Sequence, residues 1–344
     1  MISEQGHRRF NPLTGEWLLV SPHRAKRPWQ GKQEQIHIRK GFEYLDDCYL
    51  CPGNERAGGE KNPEYKSTFV FRNDFSALIN EDETFELNES GLLIAKSEKG
   101  ICMVICFSPK HNVTLAEMQV MDIENVIRTW REEYISLGNE PFVNYVQIFE
   151  NKGDVMGCSN PHPHGQIWAQ ETIPGEPAKE NKNQLEYFNR KGTTLLGDYL
   201  KIEIEKNERI IFENEGFVLL VPFWAVWPFE TMIVSKKPLG SIAEFSDEDI
   251  SLFAEILKIT TVKYDNVFEV SFPYSAGIHQ APTEGKTHPE WHFHMHFYPP
   301  LLRSASVKKF MVGYELLAEP QRDITPERSA EILRKADVVH FLDK

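Results

Sequence analysis

Val104-Ile105-Cys106-Phe107-Ser108-Pro109-Lys110 and Met232-Ile233-Val234-Ser235-Lys236-Lys237 are two apolar, strand-like runs that each end on a serine and a lysine, and the segments downstream of them decide the fold. After the first, Ile123, Val126, Ile127, Trp130 and Tyr134 fall at i, i+3, i+4, i+7 and i+11, one stripe of an amphipathic helix. After the second, Ile250, Phe253, Ala254, Leu257 and Thr261 repeat that spacing with a weaker last position. Ser246, three residues before Asp249, predicts the cap of this second helix. Each helix is followed by a β-rich run, residues 142–149 and 267–272, and then by a histidine-rich segment. Those segments are His162-Pro163-His164-Gly165-Gln166 and His292-Phe293-His294-Met295-His296. Amphipathic helices are common, so one match means little; four matching elements in one order imply a duplication.

The duplication predicts an α+β architecture in which antiparallel sheets carry helices on one face, with an N-terminal unit over residues 1–180 and a C-terminal unit over 181–344. The polar stretch 174–191 reads as the connector, and from about residue 325 the tail reads as a peripheral helix. The chain has 344 residues, 41% of them apolar, which is ordinary for a globular protein. Its formal net charge of -13 argues against a general nucleic-acid or anionic-membrane binder, because those surfaces must attract phosphates with an excess of positive charge. Any phosphate site is therefore local. Residues 1–11 mix Glu4, His7, Arg8 and Arg9 without an apolar core, and no later run is apolar enough to span a bilayer, so a cytoplasmic protein is expected.

In an extended chain alternate side chains share a face, so His162, His164 and Gln166 can converge on one side. Pro163 fixes its own φ, and Gly165 allows close approach to the main chain. The preceding segment 151–160 is rich in Gly, Asn and Ser, as a loop cradling phosphate with backbone N–H groups would be. A single histidine is more often a structural residue than a catalytic one. Two histidines and a glutamine at alternating positions beside such a loop point to chemistry. A neutral imidazole at His164 can attack the α-phosphorus of a nucleotide and hold it as a phosphoramidate, dividing one transfer into two steps. Gln166 can donate to the phosphoryl oxygens where charge builds. A glutamine cannot supply a proton or activate water, so the leaving group should be a phosphate and the acceptor a second phosphate. The rivals are a hydrolase of nucleotide phosphoramidates or dinucleotides, and a catalytically silent nucleotide-binding or metal-scaffold protein.

Five cysteines include Cys48-Tyr49-Leu50-Cys51, a spacing that suits zinc better than a disulfide framework in a reducing compartment. Tetrahedral zinc needs four ligands and no second Cys-x-x-Cys exists, so the remaining ligands come from elsewhere, with His111 and His162 as candidates. Two free thiols are the alternative. In the second copy His292, His294 and His296 fall on one strand face with His279 nearby. Several imidazoles plus a carboxylate suit iron or zinc, and a solvated histidine strand is the alternative.

With these residues in place, Gly157-Cys158-Ser159-Asn160-Pro161-His162-Pro163-His164-Gly165-Gln166-Ile167-Trp168 resembles the active-site motif of the galactose-1-phosphate uridylyltransferase family, a branch of the histidine-triad superfamily, and the resemblance covers nearly the whole chain. It implies two histidine-triad-like units and a uridylylated nucleophile at His164. Gln166 stands where hydrolytic histidine-triad proteins carry a third histidine. It further implies a zinc site of Cys48, Cys51, His111 and His162, as in the bacterial type, and a second site of Glu180, His279, His294 and His296 holding Fe2+ or a second Zn2+. His292 is left over as a neighbour. Asn73, Asp74, Asn151, Gly157, Cys158 and Ser159 match nucleotide contacts. Arg24 and Arg27 match residues reaching over from the partner subunit of a homodimer, and Lys309, Phe310, Tyr314, Glu315 and Gln321 match a C-terminal group crossing towards sugar and phosphate. The implied reaction converts UDP-glucose and galactose 1-phosphate into glucose 1-phosphate and UDP-galactose by a ping-pong route, a step of galactose metabolism.

Overall fold

The computed structural model describes residues 5–26, 41–81, 83–304 and 306–344. Nine strands form one antiparallel sheet: β1 Phe69–Arg72, β2 Gly100–Cys106, β3 Tyr145–Lys152, β4 His164–Gln170, β5 Ile210–Glu213, β6 Phe217–Leu220, β7 Thr231–Ser235, β8 Tyr274–His279 and β9 His294–Tyr298. Their order is β1-β2-β4-β3-β8-β9-β7-β6-β5. At the centre β3 pairs with β8, Ile148 opposite Ile278, so that β2-β4-β3 on one side meets β8-β9-β7 on the other as two copies related by a local two-fold. Helices α1 Val120–Gly138, α2 Gly175–Lys191, α3 Leu195–Lys206 and α4 Asp247–Phe268 are the longest that accompany the sheet among the described residues. Strand β2, α1, β3, β4 and strand β7, α4, β8, β9 thus run in the same order, as the repeat predicts.

The apolar stripes account for the layering. Ile123, Val126, Ile127 and Trp130 of α1, and Ile250, Phe253, Ala254 and Leu257 of α4, enter one core with Ile148, Ile167, Ile278 and Met295 of the sheet. Full burial of each such side chain is worth about 1.5–3 kcal/mol, which fixes α1 and α4 on a common face. Ser246 caps α4, and the reciprocal bond from its own N–H to Asp249 completes a capping box as the sequence predicts. The opposite face is covered over the second copy by α3 and an N-terminal hairpin, where Leu18, Val20, Leu196 and Leu200 pack on Val218, Leu220 and Met232. On β4 the pattern alternates strictly. Gly165, Ile167 and Ala169 are buried against the helices, while His164, Gln166 and Trp168 stand half-buried on the other side.

Two sequence expectations change. Residues 267–272 are not the strand after α4: Val267 and Phe268 still pack from the end of the helix, Glu269 turns out of it at φ 52°, and the strand begins at Tyr274. The stretch 174–191 is no loose connector but helix α2, whose buried positions Pro177, Glu180 and Gln184 are polar or small, so no apolar stripe marks it. Residue 180 falls inside this helix. The tail does form a helix, Pro326–Lys335, capped by Thr325. Among the described residues no helix is long and apolar enough to cross a membrane.

Candidate active site

His164 opens β4 on the face away from α1 and α4. Its Nδ1 lies 2.7 Å from the carbonyl oxygen of His162. A carbonyl only accepts, so Nδ1 carries the proton and donates, and the lone pair of the ring belongs to Nε2 on the far side. Burial pushes the imidazole pKa down, against the smaller upward pull of the His162 carbonyl, and so favours the neutral ring. Gly165 follows because nothing larger fits: a Cβ there would lie 2.8 Å from the Phe107 ring and 2.9 Å from the Phe149 carbonyl oxygen. Residue 165 must be bare for β4 to lie this close to β3 with His164 at its end.

One cavity collects His164, Gly165 and Gln166 from β4, Phe149 and Asn151 from β3, and Gly157, Cys158 and Ser159 from the loop between them. Gln166 Oε1 accepts the indole N–H of Trp168 at 2.9 Å, and Asn151 Oδ1 accepts the Ser275 hydroxyl at 2.6 Å. Ser275 sits on β8, so the second copy contributes to holding a residue of the first copy's cavity. The loop corrects one expectation. The amides of Met156, Gly157 and Cys158 bond back to Gly153 and Asp154 in a tight turn, with Gly157 at φ 81°, so these three N–H groups already have partners. Among the described residues that line it, none is a lysine or arginine.

Just before β4 in the chain, His162 joins Cys48, Cys51 and His111; all four are buried, with their ligand atoms within 4.8 Å of one another. Cys51 Sγ is 3.7 Å from His111 Nδ1 and 3.6 Å from His162 Nδ1. Ligands about 2.0–2.3 Å from a tetrahedral ion are separated by roughly this edge length, so the set fits zinc. His162 Nε2 donates to the Ser108 carbonyl at 2.9 Å, which leaves Nδ1 free to ligate. Burial pushes this imidazole pKa down to about 3, and a neutral ring is what a metal requires. Asn160, whose Oδ1 accepts the His162 amide N–H at 2.9 Å and whose Nδ2 lies 3.5 Å from Cys48 Sγ, ties the ligands to the loop.

The second cluster lies across the sheet. Glu180 of α2 meets His279 Nδ1 at 2.9 Å, His294 Nε2 at 3.3 Å and His296 Nε2 at 3.8 Å. Glu180 Oε2, His294 Nε2 and both ring nitrogens of His296 are buried without hydrogen-bond partners, and a cation ligated here would satisfy Glu180 Oε2, His294 Nε2 and one nitrogen of His296. Burial pushes the Glu180 carboxyl up, but the adjacent His279 and His294 outweigh it and hold the group well below the usual carboxylate range. His292 is not part of this set. Its Nε2 donates to the Ser235 carbonyl at 2.6 Å and its Nδ1 accepts from Thr194 Oγ1 at 2.8 Å. His292 thus repeats His162 on Ser108, and His294 Nδ1, 2.8 Å from the His292 carbonyl, repeats His164 on His162. The duplication extends to individual hydrogen bonds.

Among the described residues, Asn73, Asp74, Arg24, Lys309, Phe310, Tyr314, Glu315 and Gln321 do not line the cavity at His164. Asn73 Oδ1 accepts the Phe75 N–H in a turn after β1, and Asp74 lies 3.4 Å from the buried Arg56, which the sequence did not flag. Arg24, exposed on the turn Pro22–Lys26, is 3.6 Å from Asp323. Arg27 lies outside the described residues. Lys309 pairs with Glu315, whose other oxygen accepts from Arg322 at 3.0 Å and from the Gln321 amide at 3.4 Å; Phe310 and Tyr314 are exposed beside them. Arg56 and Ser275 go unflagged in the sequence, and Asn160 and Trp168 stand in the quoted motif without a role of their own; each matters through a side-chain contact.

Residues 1–174 match the model of the galactose-1-phosphate uridyl transferase N-terminal domain, and residues 180–344 that of the C-terminal domain of the same enzyme. The galactose-1-phosphate uridylyltransferase of Haemophilus influenzae is 50% identical over 342 residues, spanning 99% of this chain and 97% of its own length. That of Saccharomyces cerevisiae is 50% identical over 359 residues, spanning 100% of this chain and 98% of its own. A solved uridylyltransferase structure superposes with a TM-score of 0.76 at 27% identity, covering 95% of this chain and 97% of that one. An ADP-glucose phosphorylase of Arabidopsis thaliana, 22% identical, shares the fold with a TM-score of 0.75 over 97% of this chain and 100% of its own. An alternating His-Pro-His-Gly-Gln strand over a Cys-Cys-His-His cluster, identity at this level along the full length and matching models for both halves lead to one conclusion: the chain belongs to the galactose-1-phosphate uridyl transferase family.

Proposed function

We propose that this protein transfers a uridylyl group from UDP-glucose to galactose 1-phosphate by double displacement through His164. The observation that carries the reading is the pinned Nδ1–H, which leaves Nε2 as the nucleophile beside an amide that cannot give a proton. Nε2 attacks the α-phosphorus, an N–P bond forms, and the bond to the bridging oxygen breaks, its electron pair leaving with glucose 1-phosphate. The resulting imidazolium keeps its Nδ1 proton on the His162 carbonyl. A phosphate oxygen of galactose 1-phosphate then attacks the same phosphorus, the N–P electron pair returns to Nε2, and UDP-galactose departs. Neither half needs proton transfer, in keeping with Gln166 where an acid or base would otherwise stand.

Cys48, Cys51, His111 and His162 would hold a structural Zn2+, and Glu180, His279, His294 and His296 would hold Fe2+ or a second Zn2+. A zinc with four protein ligands supplies a cross-link and no open position for substrate. With units 1–180 and 181–344, the first cluster lies wholly within the first unit, while the second joins Glu180, the last residue of the first unit, to three histidines of the second. Among the described residues that line the cavity none is a lysine or arginine, although a diphosphate brings at least two negative charges. That supports a homodimer in which Arg24, Arg27 and the group Lys309, Phe310, Tyr314, Glu315 and Gln321 complete the partner's site, while Asn73 and Asp74 serve the nucleotide within the chain. The reaction suits the cytoplasm.

Incubation with UDP-glucose alone separates this reading from hydrolysis. We expect release of one equivalent of glucose 1-phosphate per site and then arrest; continuous release of UMP would identify a hydrolase.

A further inference from the structure

We infer that Trp168 is a positioning residue for the transfer step, acting through Gln166; the inference rests on the double displacement proposed above. Residues 166 and 168 share the open face of β4, and the indole N–H reaches Gln166 Oε1 at 2.9 Å. An indole donates and never accepts, so this bond distinguishes the two ends of the amide. The carbonyl end is held at Trp168, and the NH2 end is left for the cavity that Gln166 lines. A free glutamine could turn either end to the phosphoryl oxygens, and its carbonyl would repel them. Trp168 itself is not among the cavity residues. Its ring is fixed by Phe149, whose ring meets it edge-on at 5.6 Å and 78°. The same slot is used in the second copy, where Tyr298 stacks on His296, two residues earlier, at 5.4 Å and 13°. In both copies an aromatic residue orients the side chain at the third alternating position.

The test is a double-mutant cycle on single-turnover uridylylation by UDP-glucose, read as covalent mass gained at His164. Trp168→Phe keeps the ring and loses the donor, and we expect the rate to fall about tenfold, with the UDP-glucose concentration at half-saturation changing less than about twofold. In a Gln166→Ala background the same substitution should have no further effect, because the group it orients is gone. An equal loss in both backgrounds, or no loss in either, overturns the assignment. A second measurement does not depend on that variant folding: the Trp168 indole N–H resonance of the full-length protein should move on Gln166→Ala, and an unmoved resonance also overturns it. Should the wild-type protein gain no covalent mass, the double displacement itself fails and this inference with it; covalent mass in the wild type with an unaffected Trp168→Phe removes only the role of Trp168.

Discussion

His164→Ala is expected to lower the turnover of UDP-glucose with galactose 1-phosphate by roughly ten-thousand-fold or more, since the covalent route loses its nucleophile outright. The fold should survive. His164 is half-buried and its side chain bonds to the His162 carbonyl, so the stability change should stay near the ~1 kcal/mol of a single hydrogen bond. His164→Asn should behave alike. Steady-state turnover together with a melting curve checks both parts, and wild-type turnover in either variant would show that another group attacks phosphorus.

Loss of the Cys-His cluster has the opposite profile. Cys51→Ser, or chelation of the metal, is expected to lower Tm by about 10 °C or more, because structural zinc contributes several kcal/mol of folding energy in small sites. Three segments far apart in sequence converge there: the Cys48 to Cys51 turn, His111 after β2, and His162 before β4. Turnover per folded molecule should fall less than in His164→Ala, since the ion is proposed to hold the strand and not to touch substrate. It should still fall, because the His162 carbonyl that holds His164 Nδ1 is then less firmly fixed. A metal-free protein with unchanged melting would contradict the structural role.

Much of this arrangement is legible in the sequence where it depends on period and spacing. The stripes of α1 and α4, the cap at Ser246 and the alternation of His164 and Gln166 are each local patterns that the structure keeps, whereas His162 lies at the bend before β4 and turns to the Cys-His cluster instead of the cavity. The cavity gathers His164, Gln166, Asn151, Gly157, Cys158 and Ser159 from one region of the chain. Helix α2 is hidden from such a reading because its buried side is Pro177, Glu180 and Gln184, so the residue type that marks a buried face is absent. Its signals lie at the ends instead: Glu176 in the first turn, Arg190 and Lys191 in the last, and Gly192 at φ 73° beyond it. The strand after α4 starts later than its composition suggests for the converse reason: Val267 and Phe268 are β-favouring residues that a long helix buries. Trp168 continues the alternation of His164 and Gln166, but neither its bond to Gln166 nor that of Ser275 to Asn151 can be read from spacing, since each depends on how two side chains turn.

The covalent route is tested most directly by isotope exchange. Unlabelled UDP-glucose is mixed with labelled glucose 1-phosphate in the absence of any galactose compound, and label is sought in UDP-glucose. Double displacement predicts steady exchange at a rate comparable to overall turnover, because uridylylated His164 returns its group to whichever glucose 1-phosphate arrives. If label never enters UDP-glucose although full transfer to galactose 1-phosphate is rapid, the two sugar phosphates must be bound together and His164 carries no intermediate.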